Sequence, residues 1–216
     1  MDLNVCKLEL LNIKMKKRDS EKIRGYLGNK YEKMDILHNH KDDKFIYRYP
    51  KVQYKIIDEK AIILGIEEGA NIVTNIGIND DKLIIEDKSI NTFEKKISIN
   101  KCDFGVSDDY VTYEFLTPWI ALNQKNINNY NNGNDMEKEE ILQRILIGNI
   151  ISMSKGFNYT VDNKIKCWLN LQSTYANIKG LKHVGFVGEF KVNFNIPDYF
   201  GLGKNVSKGF GTIKKK

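Results

Sequence analysis

Apolar residues in the first hundred positions fall into an order of elements that few folds can accommodate. Residues 5–15 carry Val5, Leu8, Leu10, Leu11 and Ile13 between polar neighbours and read as a strand, which Lys16-Lys17-Arg18 breaks. Asp19 or Ser20 can cap a helix whose apolar positions Ile23, Tyr26 and Leu27 keep i, i+3, i+4 spacing, with Tyr31 and Met34 continuing the face. Phe45, Tyr47 and Tyr49 alternate with polar Arg48 in a short strand that Pro50 ends, and residues 52–57 and 61–66 follow as strands. A short helix over 69–78 and closing strands over 82–90 and 93–99 complete the half. Strand, helix, strand, strand, helix, strand is the ferredoxin-like order, an α+β arrangement.

The second half repeats that order more loosely. Residues 110–115 alternate as a strand before Pro118, and residues 123–134, seven of whose twelve positions are Asn, read as a loop or linker. Residues 137–153 form the clearest helix in the chain, with Ile141, Leu142, Ile145, Leu146 and Ile150 on one face. Strands over 164–171 and 184–194 follow. The expected organisation is two tandem domains, 1–104 and 105–216, each large enough for its own core. Their duplication rests on element order, because no residue-level repeat links them.

No apolar run approaches the ~20 residues of a membrane span, and the first residues do not read as a signal peptide, so a cytoplasmic protein with no membrane partner is expected. Cys6, Cys102 and Cys167 are far apart and include no Cys-x-x-Cys pair, which suggests neither a zinc site nor a disulfide framework. Charge is distributed unevenly: residues 151–216 hold 11 Lys against 3 Asp/Glu, whereas residues 51–150 hold 11 Lys/Arg against 17. A basic final third with Phe157, Tyr159, Trp168, Tyr175 and Phe186 among its charges is an electrostatic footprint for nucleic acid.

Within that third, Gly201-Leu202-Gly203-Lys204-Asn205-Val206-Ser207-Lys208-Gly209-Phe210-Gly211 sets two Gly-x-Gly pairs around two lysines and a serine. Successive N–H groups in such a turn can form an anion-binding concavity, with Lys204 and Lys208 adding point charges. Walker-type phosphate loops need Gly-Lys followed by Ser or Thr and then a helix. Here Asn205 follows Gly203-Lys204 and no helical pattern begins after Gly211, so neither a triphosphate loop nor a dinucleotide fingerprint is read. A plain glycine-rich hairpin turn is the competing reading.

Two of the three histidines stand in His38-Asn39-His40, in the polar connection before the Phe45 strand, with Tyr47 close behind. Histidine titrates near neutral pH, so two in one loop can supply an acid and a base together. That set suits metal-free RNA cleavage: a base takes the 2′-hydroxyl proton, the oxygen attacks phosphorus in line, and an acid protonates the leaving 5′-oxygen. A hydroxyl-polarising tyrosine and a cation for the phosphorane charge would complete the site. On these residues alone a metal-ligating His-x-His pair and surface histidines with no role stay open, although Asp35, Asp42 and Asp43 are the only acidic neighbours and no third ligand motif appears. The letters also spell the HNH nuclease motif, whose members scatter those residues over a hairpin and helix around a metal.

The glycine signature from Gly201 to Gly211, the segment His38-Asn39-His40, and Tyr47-Arg48-Tyr49-Pro50-Lys51-Val52-Gln53-Tyr54-Lys55 together resemble the CRISPR-associated endoribonucleases that cut precursor transcripts within the repeat, in particular their subtype b branch. The resemblance spans nearly the whole chain. It implies two ferredoxin-like, RRM-type domains side by side, metal-independent cleavage at the 3′ side of a repeat hairpin without a cofactor, and release of crRNA units. By position His38 and His40 match the branch's acid/base histidines and Tyr47 its assisting tyrosine. Gly201, Gly203, Lys204, Lys208, Gly209 and Gly211 become a grip on the RNA backbone, and Lys51 and Lys55 are RNA-binding candidates by proximity. Precursor CRISPR RNA is the implied partner, with an interference complex and a second copy of the chain as further candidates. Trp168, Tyr175 and Phe186 are candidates for stacking on unpaired bases, and His183 for a place beside RNA.

Overall fold

The computed structural model describes residues 1–37, 48–86 and 88–216, and the backbone of 40–41 and 44–45. His38 and Tyr47 lie outside the described residues. The chain divides into two compact bodies: residues 2–102 with 206–209, and residue 1 with 103–205 and 210–216.

In the N-terminal body, strand β1 (Asp2–Leu10) is followed by helix α1 (Asp19–Lys30) and a 3-10 turn, Asp35–Leu37. Two-residue strands β2 (His40–Lys41) and β3 (Lys44–Phe45) pair with each other, His40 opposite Phe45. Then come β4 (Val52–Ile57), β5 (Lys60–Ile66), α2 (Glu68–Asn79), the hairpin β6 (Lys82–Ile85) and β7 (Lys88–Asn91), and β8 (Lys95–Asp103). The main sheet runs β4-β5-β1-β8, the order the ferredoxin-like pattern requires. β5 is buried along Ala61–Ile66 because it has paired strands on both edges, Leu8 opposite Ile63 and Tyr54 opposite Ile63 on the other side. α1 and α2 close the core with Ile23, Leu27, Val73 and Ile76, as their spacing predicts.

Two local expectations are corrected. Neither Asp19 nor Ser20 caps α1: Arg18 holds the cap position without a side-chain bond, while the Asp19 carboxylate accepts from the Lys16 amide at 2.8 Å. The closing strands resolve into a separate two-stranded hairpin, β6–β7, and only β8 completes the sheet.

The C-terminal body contains β9 (Gly105–Trp119), α3 (Ile127–Asn132), α4 (Asp135–Gly156), β10 (Cys167–Ile178), β11 (Leu181–Asn195) and β12 (Ile213–Lys215). Its sheet order, β10-β11-β9-β12, is again ferredoxin-like. β9 runs on through Pro118 to Trp119, beyond the expected end at Pro118. It can do so because β12 pairs with it only at residues 113–115, so the missing proline N–H costs no ladder bond to that strand. Part of the Asn-rich stretch is helical, and Asn134 and Glu137 form a reciprocal capping box that starts α4. β10 and β11 make one long hairpin whose turn, Lys179-Gly180, has both φ values positive, the twist that suits a two-residue connection. Phe186, a stacking candidate by sequence, is a core residue that packs near Trp119.

One difference between the two repeats lies in the last connection. Where the first has α2 between its third and fourth strands, the second has an irregular connection containing only the 3-10 turn Val206–Lys208. That connection is the glycine signature. Among the described residues no helix is long and apolar enough to cross a membrane.

Candidate nucleic-acid interface

The glycine signature is stitched to its own chain. In the C-terminal body the Gly211 amide donates to the Pro118 carbonyl at 2.9 Å, the Leu202 amide to the Gly211 carbonyl at 2.9 Å, and the Lys204 amide to the Ile120 carbonyl at 3.2 Å. Gly201 bridges Thr212. Gly211 has φ +61, and a Cβ there would collide with the Leu202 backbone. In the N-terminal body residues 206–209 pack on α1 and β4: the Ser20 hydroxyl donates to the Lys208 carbonyl at 2.8 Å, and Gly209, φ +88, leaves no room for a Cβ beside the Tyr54 carbonyl, 2.8 Å away. The sequence predicts glycines that let backbone approach an anion; the structure uses them for close approach of the chain to itself. The amides of Leu202, Lys204, Gly209, Phe210 and Gly211 are bonded internally, so they do not form the expected concavity.

The lysines of the signature are anchored as well. Lys204 is an exposed residue whose Nζ nonetheless donates to the Leu122 carbonyl at 3.0 Å, and desolvation there holds its ammonium below the usual lysine range. Lys208, with a side chain 13% exposed, is ion-paired with Glu21, whose helix position carries no signal of that role in the sequence. Each cation is therefore set in a defined place, Lys204 open to an incoming anion and Lys208 only by exchange of its carboxylate.

Lys51 and Lys55 both have partners within the N-terminal body. Lys51 Nζ grips the Glu68 carboxylate at 2.6 and 2.7 Å. Lys55 is 0% exposed, donates to Gln53 Oε1 at 2.9 Å, and is pushed down by burial to about 7. An ammonium so enclosed does not reach an RNA phosphate in this conformation, which corrects its assignment by proximity.

The described residues before the histidine segment are tied to the rest of the N-terminal body. α1 ends at Lys30, whose Nζ lies 2.8 Å from Asp80 Oδ1, and Tyr31 donates its hydroxyl to the same oxygen at 2.8 Å. Asp80 is buried, and its carbonyl accepts from Thr92 Oγ1 and Lys95 Nζ. The 3-10 turn follows with Ile36 and Leu37 in the core and Arg48 Nη2 3.3 Å from Asp35 Oδ2. Leu37 and Arg48 flank the segment carrying His38 and His40 in sequence, and the backbone of His40 lies in β2. The pairing of Lys30 with Asp80 spans fifty residues, beyond the reach of any local sequence pattern. Among the described residues no group of three or more His, Cys, Asp or Glu is disposed to hold a metal ion.

The C-terminal sheet has one face on α4, where Trp119 Nε1 donates to Asn149 Oδ1 at 3.0 Å. On the other face Trp168 stands half exposed beside Tyr110, ring centroids 4.8 Å apart. Tyr175 is exposed near the hairpin tip with Lys182 Nζ 3.7 Å from its ring centre. Tyr110 is not among the candidates read from sequence; the alternation of β9, which puts it on the face opposite Val111, is the signal that points to it.

Comparison with known proteins places these features in a family. Residues 1–103 match the family model for the Cas6b N-terminal domain, and residues 105–216 the model for the Cas6b C-terminal domain. An uncharacterized protein of Methanocaldococcus jannaschii is 49% identical over 112 residues, 51% of this chain and 76% of that protein. A crystal structure of Cas6b is 43% identical with a TM-score of 0.95, and one of the CRISPR RNA processing endoribonuclease Cas6b is 39% identical with a TM-score of 0.82, each covering 100% of both chains. A Cas6 product complex at 11% identity and TM-score 0.61 shares the fold.

Proposed function

The chain belongs to the Cas6b family, and on that premise we propose that it cuts CRISPR precursor RNA within the repeats and so releases crRNA units. The observation that carries this reading is the connection after β11. A helix is replaced there by a loop fixed by close glycine contacts, which sets the Lys204 ammonium at the Leu122 carbonyl within a strongly basic third of the chain. Such a loop suits a sugar-phosphate backbone, which needs placed cations and no sequence-reading groups.

Cleavage is assigned to His38, His40 and Tyr47. One histidine removes the 2′-hydroxyl proton as the oxygen bonds to phosphorus, and the other gives a proton to the 5′-oxygen as the P–O5′ bond breaks. Tyr47 polarises the attacking hydroxyl. The products are a 2′,3′-cyclic phosphate and a 5′-hydroxyl, and the step needs no metal because both proton transfers are made by side chains. A repeat RNA incubated with the chain should be cut at one position and leave a cyclic phosphate. RNA bound tightly but left whole would instead give the chain a holding role for another nuclease.

The phosphate grip has its own test. Lys204→Ala with Lys208→Ala should weaken repeat-RNA binding and flatten the salt dependence, by roughly 0.7 in log–log slope for each single-strand phosphate that is no longer neutralised. The single Lys204→Ala change should account for most of the loss, because Lys208 already has Glu21. Unchanged affinity and slope in the double variant would remove these lysines from the interface.

A further inference from the structure

We infer that the open face of the C-terminal sheet holds one or two unpaired bases of the bound RNA on Trp168 and Tyr110, with Lys191 receiving the adjoining phosphate. The inference rests on the RNA-binding reading above and adds a second contact region to it.

Three adjacent strands build the site. Trp168 on β10 lies directly opposite Lys191 on β11, and Lys191 lies opposite Thr112 on β9, with Tyr110 two residues along on the same face. The neighbouring Cys167 is buried and reaches toward the Gln143 carbonyl of α4, so Trp168 points away from the helix layer. Trp168 is 50% exposed and Tyr110 39%. Their rings meet edge to face at 72°, which satisfies the pair's own electrostatic preference and leaves a broad indole surface open. Lys191 Nζ stands 5.9 Å from the Tyr110 ring centre and has no carboxylate partner among the described residues.

Open aromatic rings on the outer face of such a sheet, with a cation beside them, fit a single-stranded nucleotide: the base stacks and the ammonium takes the phosphate. Local charges direct the strand. Glu189 is engaged by Lys216, whereas Asp108 and Asp109 precede Tyr110. The backbone should therefore leave the site on the Lys191 side.

Only two tryptophans are present, and Trp119 is fully buried. Iodide-quenchable emission consequently reports Trp168. Repeat RNA should protect that emission, and a Trp168→Leu, Tyr110→Leu variant should bind the RNA about tenfold or more weakly, with an unchanged salt slope. An abasic oligonucleotide of equal length and charge should bind wild type and variant alike, and Trp168→Phe should keep most of the affinity. If wild type binds RNA while iodide still reaches Trp168 and the double variant binds as tightly, the stacking site is overturned and a protein partner becomes the occupant to seek. If wild type binds no RNA, the function proposed above falls with it, so the two failures are distinguishable.

Discussion

His38→Ala and His40→Ala variants are expected to cut repeat RNA two to four orders of magnitude more slowly than wild type while binding it with unaltered affinity. A positioned general acid or base contributes about 10²–10⁴-fold, and each variant removes one such group from a step that uses both. Both changes leave the identity of the loop lysines and of the C-terminal sheet residues intact, where backbone and base contacts are proposed. The loss should therefore lie in the cleavage rate under saturating protein, measured in single-turnover reactions. One acid and one base acting together give a bell-shaped rate–pH profile, and each variant should lose one limb of it. Cleavage by both variants at the wild-type rate would turn the His38-Asn39-His40 match into a coincidence of sequence.

Stability is expected to rise between pH 7 and pH 8.5 by about 1.5 kcal/mol, through Lys55. Burial brings its folded-state ammonium down to about 7, while the unfolded chain keeps the ordinary lysine value near 10.4. In the interval between them the unfolded state holds a proton that the folded state lacks, so raising the pH favours folding. From the upper part of that window the buried thiols Cys6 and Cys167, both pushed up by burial, act in the opposite direction, because the folded state retains protons that the unfolded chain, with thiols at about 8.5, gives up. Urea unfolding at pH 7, 7.75 and 8.5 should show the rise in wild type and no rise in Lys55→Met. Parallel lines would mean that the side chain stays charged when folded. The absolute stability of the variant is a separate matter, since Gln53 Oε1 loses a buried donor.

What the sequence made legible follows from what is local. Strand and helix periods and Pro50 are read over a few residues, and they were enough for the ferredoxin-like order of the first half and the long helix of the second. The continuation of β9 through Pro118 was not legible, because it depends on how far a strand a hundred residues later pairs along it. Burial of Lys55 depends on strand neighbours and on Gly209, whose missing Cβ lets the chain pass close to its backbone. Lys208 and Glu21 are 187 positions apart, and only the folded chain joins them. At the candidate site, the residue types were visible at once and their partners were not. Trp168 stood out as an aromatic, but its usefulness depends on the register that sets Lys191 opposite it and Tyr110 on the same face.

The central claim is metal-free attack by the RNA's own 2′-hydroxyl. Its most direct test is cleavage of a 5′-labelled repeat RNA in excess EDTA, run beside the same RNA with a single 2′-deoxynucleotide at the cut position. The expected result is one discrete cut in the all-ribose RNA, undiminished by chelator, and an intact but bound deoxy-substituted strand. Cleavage that vanishes with EDTA, or that persists at the deoxy position, would contradict it.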